Sequence, residues 1–436
     1  MKKRIVSLLF VFFPLLVVPS NLPIDSLLQA LDLTVKSRPL YQKRKEKSGG
    51  VYYAYPEAEI TPQTPDPKGY KPFYISHFGR HGSRYLIGDN DYKWVLDRLR
   101  DAKEKDALTA LGIEVYDRLS QVWLEADGRG GDLSPLGVRQ QRNIAERMYK
   151  SYPEVFSDNV KMEAHSTMVV RCAMSMDAFC ERLKEFNPKL DITREASERH
   201  VRYLNNHTKE AIYFREHIWK EEYRKFEEKH TNPDRLVNSL FSNQQYIIEK
   251  VNPYELMWGF YWLASDMQNM ETDVSFYDIF EKQELFDLWQ CFNYRFYVAD
   301  GPSAKSKGIM DKNAIPLVKN IINRADEVIA AKSKGAAFRF GHDGNIIPLI
   351  SFLHIENCYN SVLEPTEFYK AWSDFKVAPM GANVQIVFYR KDKSEDVLVK
   401  FLHNEKEVKI PPVQSDVLPY YHWNDIKNYY CSLMKE

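Results

Sequence analysis

Apolar positions along the chain form short segments that predict strands and longer periodic segments that predict helices. One short segment has Phe73, Ile75 and Phe78 and ends at Gly79, and another runs from Gly335 to Gly341. Short apolar runs bounded by glycine are typical of buried strands. Further strands are predicted over 383–389 and 397–402. Helices are predicted over 92–105, 107–125 and 135–152.

The pattern changes between residues 198 and 296, where charged and aromatic residues recur at helical spacing and strand signals are scarce. Long helical patterns cover 211–229 and 271–297. We therefore predict an α/β fold, a Rossmann-like open sheet flanked by helices, with an inserted, mainly helical cap domain. Its core would comprise 21–197 and 297–436, and its cap would comprise 198–296.

The first residues have the order of a secretory signal. Lys2, Lys3 and Arg4 precede an apolar stretch from Ile5 to Val18, which is shorter than the roughly 20 residues that a membrane span needs. A signal peptide is predicted at 1–20. We therefore expect an exported protein, periplasmic or secreted, without membrane contact once the signal is cleaved.

Composition narrows the class of protein further. Of 436 residues, 44% are hydrophobic and 14% aromatic, which favours a globular chain with a large core. Lys plus Arg and Asp plus Glu number 60 each, so the excess positive charge that drives nucleic-acid binding is missing and no such partner is expected. The five cysteines leave at least one thiol unpaired, and buried free thiols are expected for most of them.

The candidate chemistry begins with Arg80-His81-Gly82-Ser83-Arg84, directly after the first predicted strand. Catalytic groups in open α/β sheets lie beyond the carboxyl ends of the strands. A neutral imidazole can act as a nucleophile, and guanidinium groups match phosphate oxygens two at a time. A lone Arg-His pair would indicate a solvated basic turn. This full spacing after a strand instead predicts attack on a phosphoryl group.

Two distant segments repeat the arrangement of strand, polar residues and helix. Arg171 lies one turn inside a helix that follows Ser166 and Thr167, and His342-Asp343 separates the 335–341 strand from an apolar helical segment. Taken singly, Arg171 would be a surface arginine and Asp343 a helix cap. Combined with the first motif, they supply the third cation, second histidine and proton donor that phosphoryl transfer requires.

These ordered motifs resemble those of the histidine acid phosphatases, the clade of the histidine phosphatase superfamily that includes phytases and multiple inositol polyphosphate phosphatases. The resemblance covers most of the mature chain. It rests on Arg80-His81-Gly82-Ser83-Arg84, Leu133-Ser134-Pro135-Leu136-Gly137 with Gln140, Ser166-Thr167 through Arg171 to Ser175 and Phe179, His342-Asp343, and the closing segments 382–389 and 397–405.

The resemblance implies a role for each matched residue. His81 would be the nucleophile that forms a phosphohistidine, and Asp343 would protonate the leaving alcohol and then help water to attack. The phosphoryl oxygens would be bound by Arg80, Arg84, Arg171 and His342. A carboxyl group with a modestly raised pKa suits the two roles of Asp343. No metal and no cofactor are expected, because the arginines already supply positive charge.

The sequence departs from the family pattern in places that bear on the substrate. Tyr85-Leu86 stands where the family usually has a proline two residues after Arg84, so the loop that leaves the pocket is expected to differ in shape. His342-Asp343 replaces the His-Ala-Glu typical of the multiple-specificity enzymes and favours the phytase and general acid phosphatase side. Candidates for binding further phosphates of a polyanionic substrate are Arg199, His200, Arg202 and Lys209.

We therefore expect a phosphatase that hydrolyses small phosphomonoesters, with inositol polyphosphates such as phytate as the substrate class implied by the resemblance. Two alternatives stay open. One is a phosphotransferase similar to phosphoglycerate mutase, which shares the Arg-His-Gly start. The other is a non-catalytic protein that binds phosphate ligands, although such binding requires neither His81 nor Asp343.

Overall fold

Eight strands form one mixed sheet in the computed structural model of the protein, which describes residues 45–435. The predicted signal peptide lies outside the described residues. The strands are β1 Tyr70–Arg80, β2 Lys161–Ser166, β3 Asp191–Ala196, β4 Gly335–Gly341, β5 Asn383–Lys391, β6 Val397–His403, β7 Lys406–Val408 and β8 Tyr420–His422. Their order is β3-β2-β4-β1-β5-β6-β7, with β8 also paired to β6.

The parallel half of the sheet brings the candidate motifs to one edge. β3, β2, β4 and β1 run parallel, whereas β5 joins β1 antiparallel. Arg80 pairs with Gly341 across β1 and β4, and Ser166 pairs with Phe340 across β2 and β4. The three strands therefore end level with each other, and the motifs that follow them leave the sheet side by side, as the sequence predicted.

Helices cover both faces of the sheet. They are α1 Asn90–Glu104, α2 Ala110–Ala126, α3 Pro135–Ser151, α4 Val170–Phe186, α5 Glu198–Leu204, α6 Lys209–Tyr213, α7 Lys220–His230, α8 Asp234–Leu240, α9 Gln244–Lys250, α10 Pro253–Asp266, α11 Lys282–Ala299, α12 Ile315–Ala330, α13 Asp343–Phe352, α14 Phe368–Ala371, α15 Asp374–Val377 and α16 Trp423–Leu433. The predicted α/β class with a mainly helical insertion is confirmed.

Two predicted helices of the insertion are wrong in their bounds. The pattern over 211–229 is split into α6 and α7 by a wider helical turn, Phe214–Ile218. The pattern over 271–297 becomes a long helix only at Lys282, because Glu281 and Glu284 form a capping box in which the Glu284 carboxylate accepts from the Glu281 backbone N–H at 2.8 Å.

The edge strand β3 was not predicted from the sequence. Its last four residues, Thr193 to Ala196, are exposed, and the strand pairs only with β2 among the described strands. An exposed strand at the edge of a sheet needs no apolar run, so hydrophobic patterning carries little signal for it.

Apolar side chains form one cluster on each face of the sheet. Tyr74 and Phe78 of β1 face a cluster that continues into the insertion through Leu263 and Leu288. Ile75, which points to the opposite face because side chains alternate along a strand, packs in a second cluster with residues of α3 and α4. All five cysteines are free thiols, and four are buried. Within residues 45–435, no helix has the length and apolar character to cross a membrane.

Candidate active site

His81 lies immediately after β1, where the strand leaves the sheet. Its side chain is buried, and its Nδ1 lies 2.9 Å from the carbonyl oxygen of Gly82. A carbonyl oxygen can only accept, so Nδ1 carries the proton and Nε2 is left with its lone pair. Burial, and then the charges of Arg80, Arg171 and Arg84, hold the pKa of His81 well below its usual range. These surroundings therefore favour the neutral imidazole.

Arg80 is fully buried and is held by three oxygen atoms. Its Nη1 donates to the carbonyl oxygens of Val51 at 2.5 Å and Ala378 at 2.8 Å, and its Nη2 donates to Asp343 Oδ2 at 2.8 Å. Burial lowers the pKa of Arg80 to about 10, so the guanidinium stays charged below that pH. These contacts hold the cation rigidly beside His81.

Arg84 and Arg171 complete a cluster of three guanidinium groups. The Arg84 guanidinium lies 4.8 Å from the centre of the Tyr52 ring and donates to the Tyr85 carbonyl oxygen at 2.7 Å. Arg171, on the first turn of α4, donates weakly to the Gly131 carbonyl oxygen at 3.4 Å. In the described part of the chain, the buried Nε of each of the three arginines has no hydrogen-bond partner. Such donors fit an anion with several oxygen atoms.

His342 immediately precedes α13 and caps it, and its ring centre lies 5.7 Å from that of His81. Its Nε2 is 3.2 Å from Thr167 Oγ1, and its backbone N–H donates to Asn345 Oδ1 at 3.1 Å. Burial, opposed by Asp343 and reinforced by Arg171, lowers the pKa of His342 to about 4. The two histidines are thus uncharged neighbours on adjoining strand ends.

Asp343 is the first residue of α13, and its side chain is 26% exposed. Its Oδ2 accepts from Arg80, and its Oδ1 accepts from the Gly344 backbone N–H at 2.8 Å. Burial would raise the pKa of this carboxyl, but the neighbouring cations, Arg80 above all, outweigh it and lower the pKa. The expectation of a raised pKa is therefore wrong, because the ion pair with Arg80 favours the carboxylate.

The segment around His81 is fixed by α3. A Cβ atom on Gly82 would lie 2.4 Å from the Gly137 carbonyl oxygen, and one on Gly137 would lie 2.1 Å from the Ser83 carbonyl oxygen. Gln140 Oε1 accepts from the Ser83 backbone N–H at 2.8 Å, while Gln140 Nε2 donates to Ser83 Oγ at 2.9 Å. The second motif, known from the sequence only as a resemblance, thus positions the first.

Further positioning residues come from α4 and from the insertion. Ser175 Oγ accepts from the Gly82 backbone N–H at 3.2 Å, and Phe179 stacks on His77 of β1 at 5.1 Å. Asn269 Oδ1 accepts from Ser83 Oγ at 2.7 Å. The sequence analysis did not single out Asn269, because a lone asparagine far along the chain has no pattern that would mark it.

A second carboxylate, Asp300, lies near the site and was also missed. It is buried and forms an ion pair with Arg215. It also lies close to Gly344, the residue after Asp343: a Cβ atom added to Gly344 would be 3.5 Å from Asp300 Oδ1. Burial raises the pKa of Asp300, with Arg215 opposing and Asp343 adding to the rise. Asp300 follows the last residue of α11, where the pattern indicated only the end of a helix.

The candidates for further phosphate contacts lie on α5 and at the start of α6. Arg199, Arg202 and Lys209 keep exposed or partly exposed side chains, whereas His200 is buried and stacks on His165. Asn205, directly after α5, accepts from Asn345 Nδ2 at 2.7 Å, so α5 adjoins the start of α13. The C-terminal end of α5 therefore lies next to the active site, whereas His200 is buried against His165 and is not free to bind a substrate phosphate.

Comparison with known proteins identifies the family. The family model described as "Histidine phosphatase superfamily (branch 2)" matches residues 79–404, which include every residue of the cluster. The chain belongs to this superfamily. No curated protein sequence matches the chain.

Solved structures of histidine phosphatases share the fold. The multiple inositol polyphosphate phosphatase of Bifidobacterium longum, in complex with inositol hexasulfate, is 18% identical with a TM-score of 0.73, covering 89% of this chain and 98% of that one. The phytase from D. castellii is 14% identical with a TM-score of 0.65, and the match covers 92% of this chain and 88% of that one. Hafnia alvei phytase is 12% identical with a TM-score of 0.52, and the match covers 84% of this chain and 98% of that one.

Proposed function

We propose that this histidine phosphatase hydrolyses phosphomonoesters through a covalent phosphohistidine on His81. The observation that carries the proposal is the unprotonated Nε2 of His81 beside three guanidinium groups with unpartnered buried Nε donors. A nucleophile and a clamp for negative charge are the two parts that phosphoryl transfer needs most. The low pKa of His81 keeps the nucleophile available in acid.

In the first half-reaction, His81 Nε2 forms a bond to phosphorus while the bond from phosphorus to the alcohol oxygen breaks. Arg80, Arg84, Arg171 and His342 would bind the phosphoryl oxygens. Asp343 would give its proton to the departing oxygen. Because Arg80 lowers the pKa of Asp343 in the unliganded site, that proton must arrive with the substrate or be taken up as the phosphate charge offsets the arginines.

In the second half-reaction, the Asp343 carboxylate takes a proton from water as the water oxygen attacks phosphorus. The bond from phosphorus to Nε2 breaks, and inorganic phosphate leaves with His81 restored. Asp343 is a carboxylate at this stage because it gave up its proton in the first half-reaction, so it can act as the base. The charges of the arginines make a metal ion unnecessary for either step.

For the substrate we propose inositol polyphosphates, phytate among them. The support is the fold shared with phytases and a multiple inositol polyphosphate phosphatase, together with the exposed cations Arg199, Arg202 and Lys209 on and just after α5, a helix whose end adjoins α13. Export to the periplasm or the exterior, with 1–20 as the signal peptide, is part of the proposal. We also propose that residues 198–296 form a separate cap domain.

The test is phosphate release from a panel of phytate, sugar phosphates and an aryl phosphate. Wild-type protein should release phosphate, and protein quenched with alkaline detergent during turnover should carry a phosphate that is stable in alkali and lost in acid. His81→Ala should lose nearly all turnover and the label, whereas His217→Ala, at an exposed histidine of the insertion, should keep both. Undiminished turnover of His81→Ala would refute the mechanism.

The same assays separate the two alternatives. A phosphotransferase similar to phosphoglycerate mutase would move phosphate between glycerate phosphates, with a bisphosphorylated glycerate required and little free phosphate released. A binding protein would retain phytate without releasing phosphate. Retention of both His81 and Asp343 in the cluster favours turnover over mere binding.

A further inference from the structure

A second group of chemically active side chains lies at the ends of β2 and β3. His165 of β2, Glu195 of β3 and His200 of α5 place one potential ligand atom each within 4.8 Å of one another. Among residues 45–435, this is the one group of three or more such side chains that meets that criterion. The proposed reaction uses none of the three.

Tyr203 orients both histidines of this group. Its hydroxyl lies 2.9 Å from His165 Nδ1 and 3.2 Å from His200 Nδ1. A hydroxyl oxygen has two lone pairs and can accept from both Nδ1–H groups, so a metal ion that replaces the proton between His200 Nε2 and Glu195 would meet a lone pair on each Nε2. Metal-binding histidines in proteins are usually oriented by a hydrogen bond of this kind at the other ring nitrogen.

The stacking of the two rings brings their Nε2 atoms into one region, next to a carboxylate. The imidazole rings stack with their centres 3.6 Å apart and their planes 12° apart. Glu195 Oε2 lies 2.9 Å from His200 Nε2, and the Glu195 side chain is 45% exposed. Glu195 Oε1 accepts from Ser197 Oγ at 2.8 Å, which holds the carboxylate in place.

We propose that His165, His200 and Glu195 bind one divalent transition-metal ion, with Zn²⁺ as the best-suited probe. Two imidazole nitrogens and one carboxylate form a donor set that zinc accepts, and a water molecule would fill the fourth position. At its usual bond lengths tetrahedral zinc holds two nitrogens about 3.3 Å apart, and the potential ligand atoms of the three side chains already lie within 4.8 Å of one another. The rings must tilt so that both lone pairs converge, and the contact between His200 and Glu195 must open.

The ion would fasten α5 to the sheet beside the phosphate cluster. His165 precedes Ser166 and Thr167, and Thr167 contacts His342. His200 and Tyr203 lie on α5, whose following residue Asn205 binds Asn345. The metal would therefore act as a structural clamp, and it has no role in the proposed chemistry.

The chain contains a matched control. His422 also has two carboxylates, but Asp396 Oδ1 lies 2.9 Å from its Nδ1 and Asp416 Oδ1 lies 3.2 Å from its Nε2. These carboxylates sit on opposite edges of the ring and cannot share one ion with a single nitrogen. His422→Ala therefore removes a histidine with acidic neighbours without touching the proposed site.

The experiment is equilibrium dialysis of the full protein against micromolar Zn²⁺, followed by measurement of bound zinc. Wild type and His422→Ala should each hold one zinc per chain. His165→Asn and the conservative variant Glu195→Gln, at an exposed position, should bind about tenfold more weakly or worse. Circular dichroism of each variant without metal establishes that it is folded. Co²⁺ should give wild type a visible absorption band that His165→Asn lacks.

Three outcomes would overturn the proposal. They are wild-type protein that retains no zinc, folded Glu195→Gln and His165→Asn proteins that bind as tightly as wild type, and loss of the ion in His422→Ala alone.

Discussion

Replacement of Asp343 by asparagine separates proton donation from anion binding. The carboxamide that Asp343→Asn introduces cannot donate a proton of comparable acidity, yet its oxygen can still accept from Arg80, which also keeps its bonds to Val51 and Ala378. The guanidinium therefore stays in place. Loss of the negative charge leaves Arg80 uncompensated, so phosphate binding should be unchanged or tighter.

The size of the effect should depend on the leaving group. General acids contribute roughly 10²-fold to 10⁴-fold. An alkoxide needs protonation as it departs, whereas a nitrophenolate leaves readily without help. For Asp343→Asn we expect the phosphorylation rate to fall by about 10²-fold or more with phytate, which corresponds to about 2.7 kcal/mol in the barrier, and by much less with an aryl phosphate.

The assay is a single-turnover quenched-flow measurement of phosphohistidine formation with both substrates. Phosphorylation must be timed directly, because a slow second half-reaction would hide the contrast. Asp300→Asn is the matched control, since Asp300 is a buried carboxylate near the site that pairs with Arg215 instead of Arg80. Equal losses on both substrates would mean that Asp343 acts electrostatically. If only Asp300→Asn slowed phosphorylation more with phytate than with the aryl phosphate, Asp300 would be the proton donor.

Three further predictions concern the stability of the fold and the effect of metal removal. Gln140→Ala leaves the buried Ser83 backbone N–H without its partner, although Ser83 Oγ keeps its bond to Asn269, so urea denaturation should show a loss of about 1–3 kcal/mol in the free energy of unfolding; an unchanged free energy would contradict this role. Burial raises the pKa of Asp266 to about 7, so the folded state holds a proton that the unfolded state releases from about pH 4. The stability that this proton contributes is therefore lost as pH rises towards 7. Between pH 5 and 8, Tm should fall less in Asp266→Asn than in wild type. Curves of Tm against pH that run parallel for the two proteins would contradict this prediction. EDTA should leave aryl phosphatase turnover unchanged in wild type and in Glu195→Gln, and in Glu195→Gln an inhibition reversed by added metal would show that the arginine cluster itself needs an ion.

Much of the site followed from local sequence because catalytic motifs sit where strands end. The apolar run through Ile75 and the following Arg80-His81 predicted both β1 and the position of the candidate nucleophile. The strand over 335–341 agreed with β4 to the residue, and His342 caps the helix that follows it. Patterning is informative at these positions because both faces of the central strands are buried.

What only the tertiary structure decided depends on residues far apart in the chain. The pKa of Asp343 is lowered by Arg80, which lies 263 residues away in the chain. A local sequence pattern cannot show that these two side chains meet. Asn269 reaches Ser83 from the insertion, and His165 meets His200 only because β2 and β3 are paired. The sequence by itself determined the residue types at the strand ends. Sheet register and helix packing determined which charges face each other, because electrostatic interactions depend on separation in space.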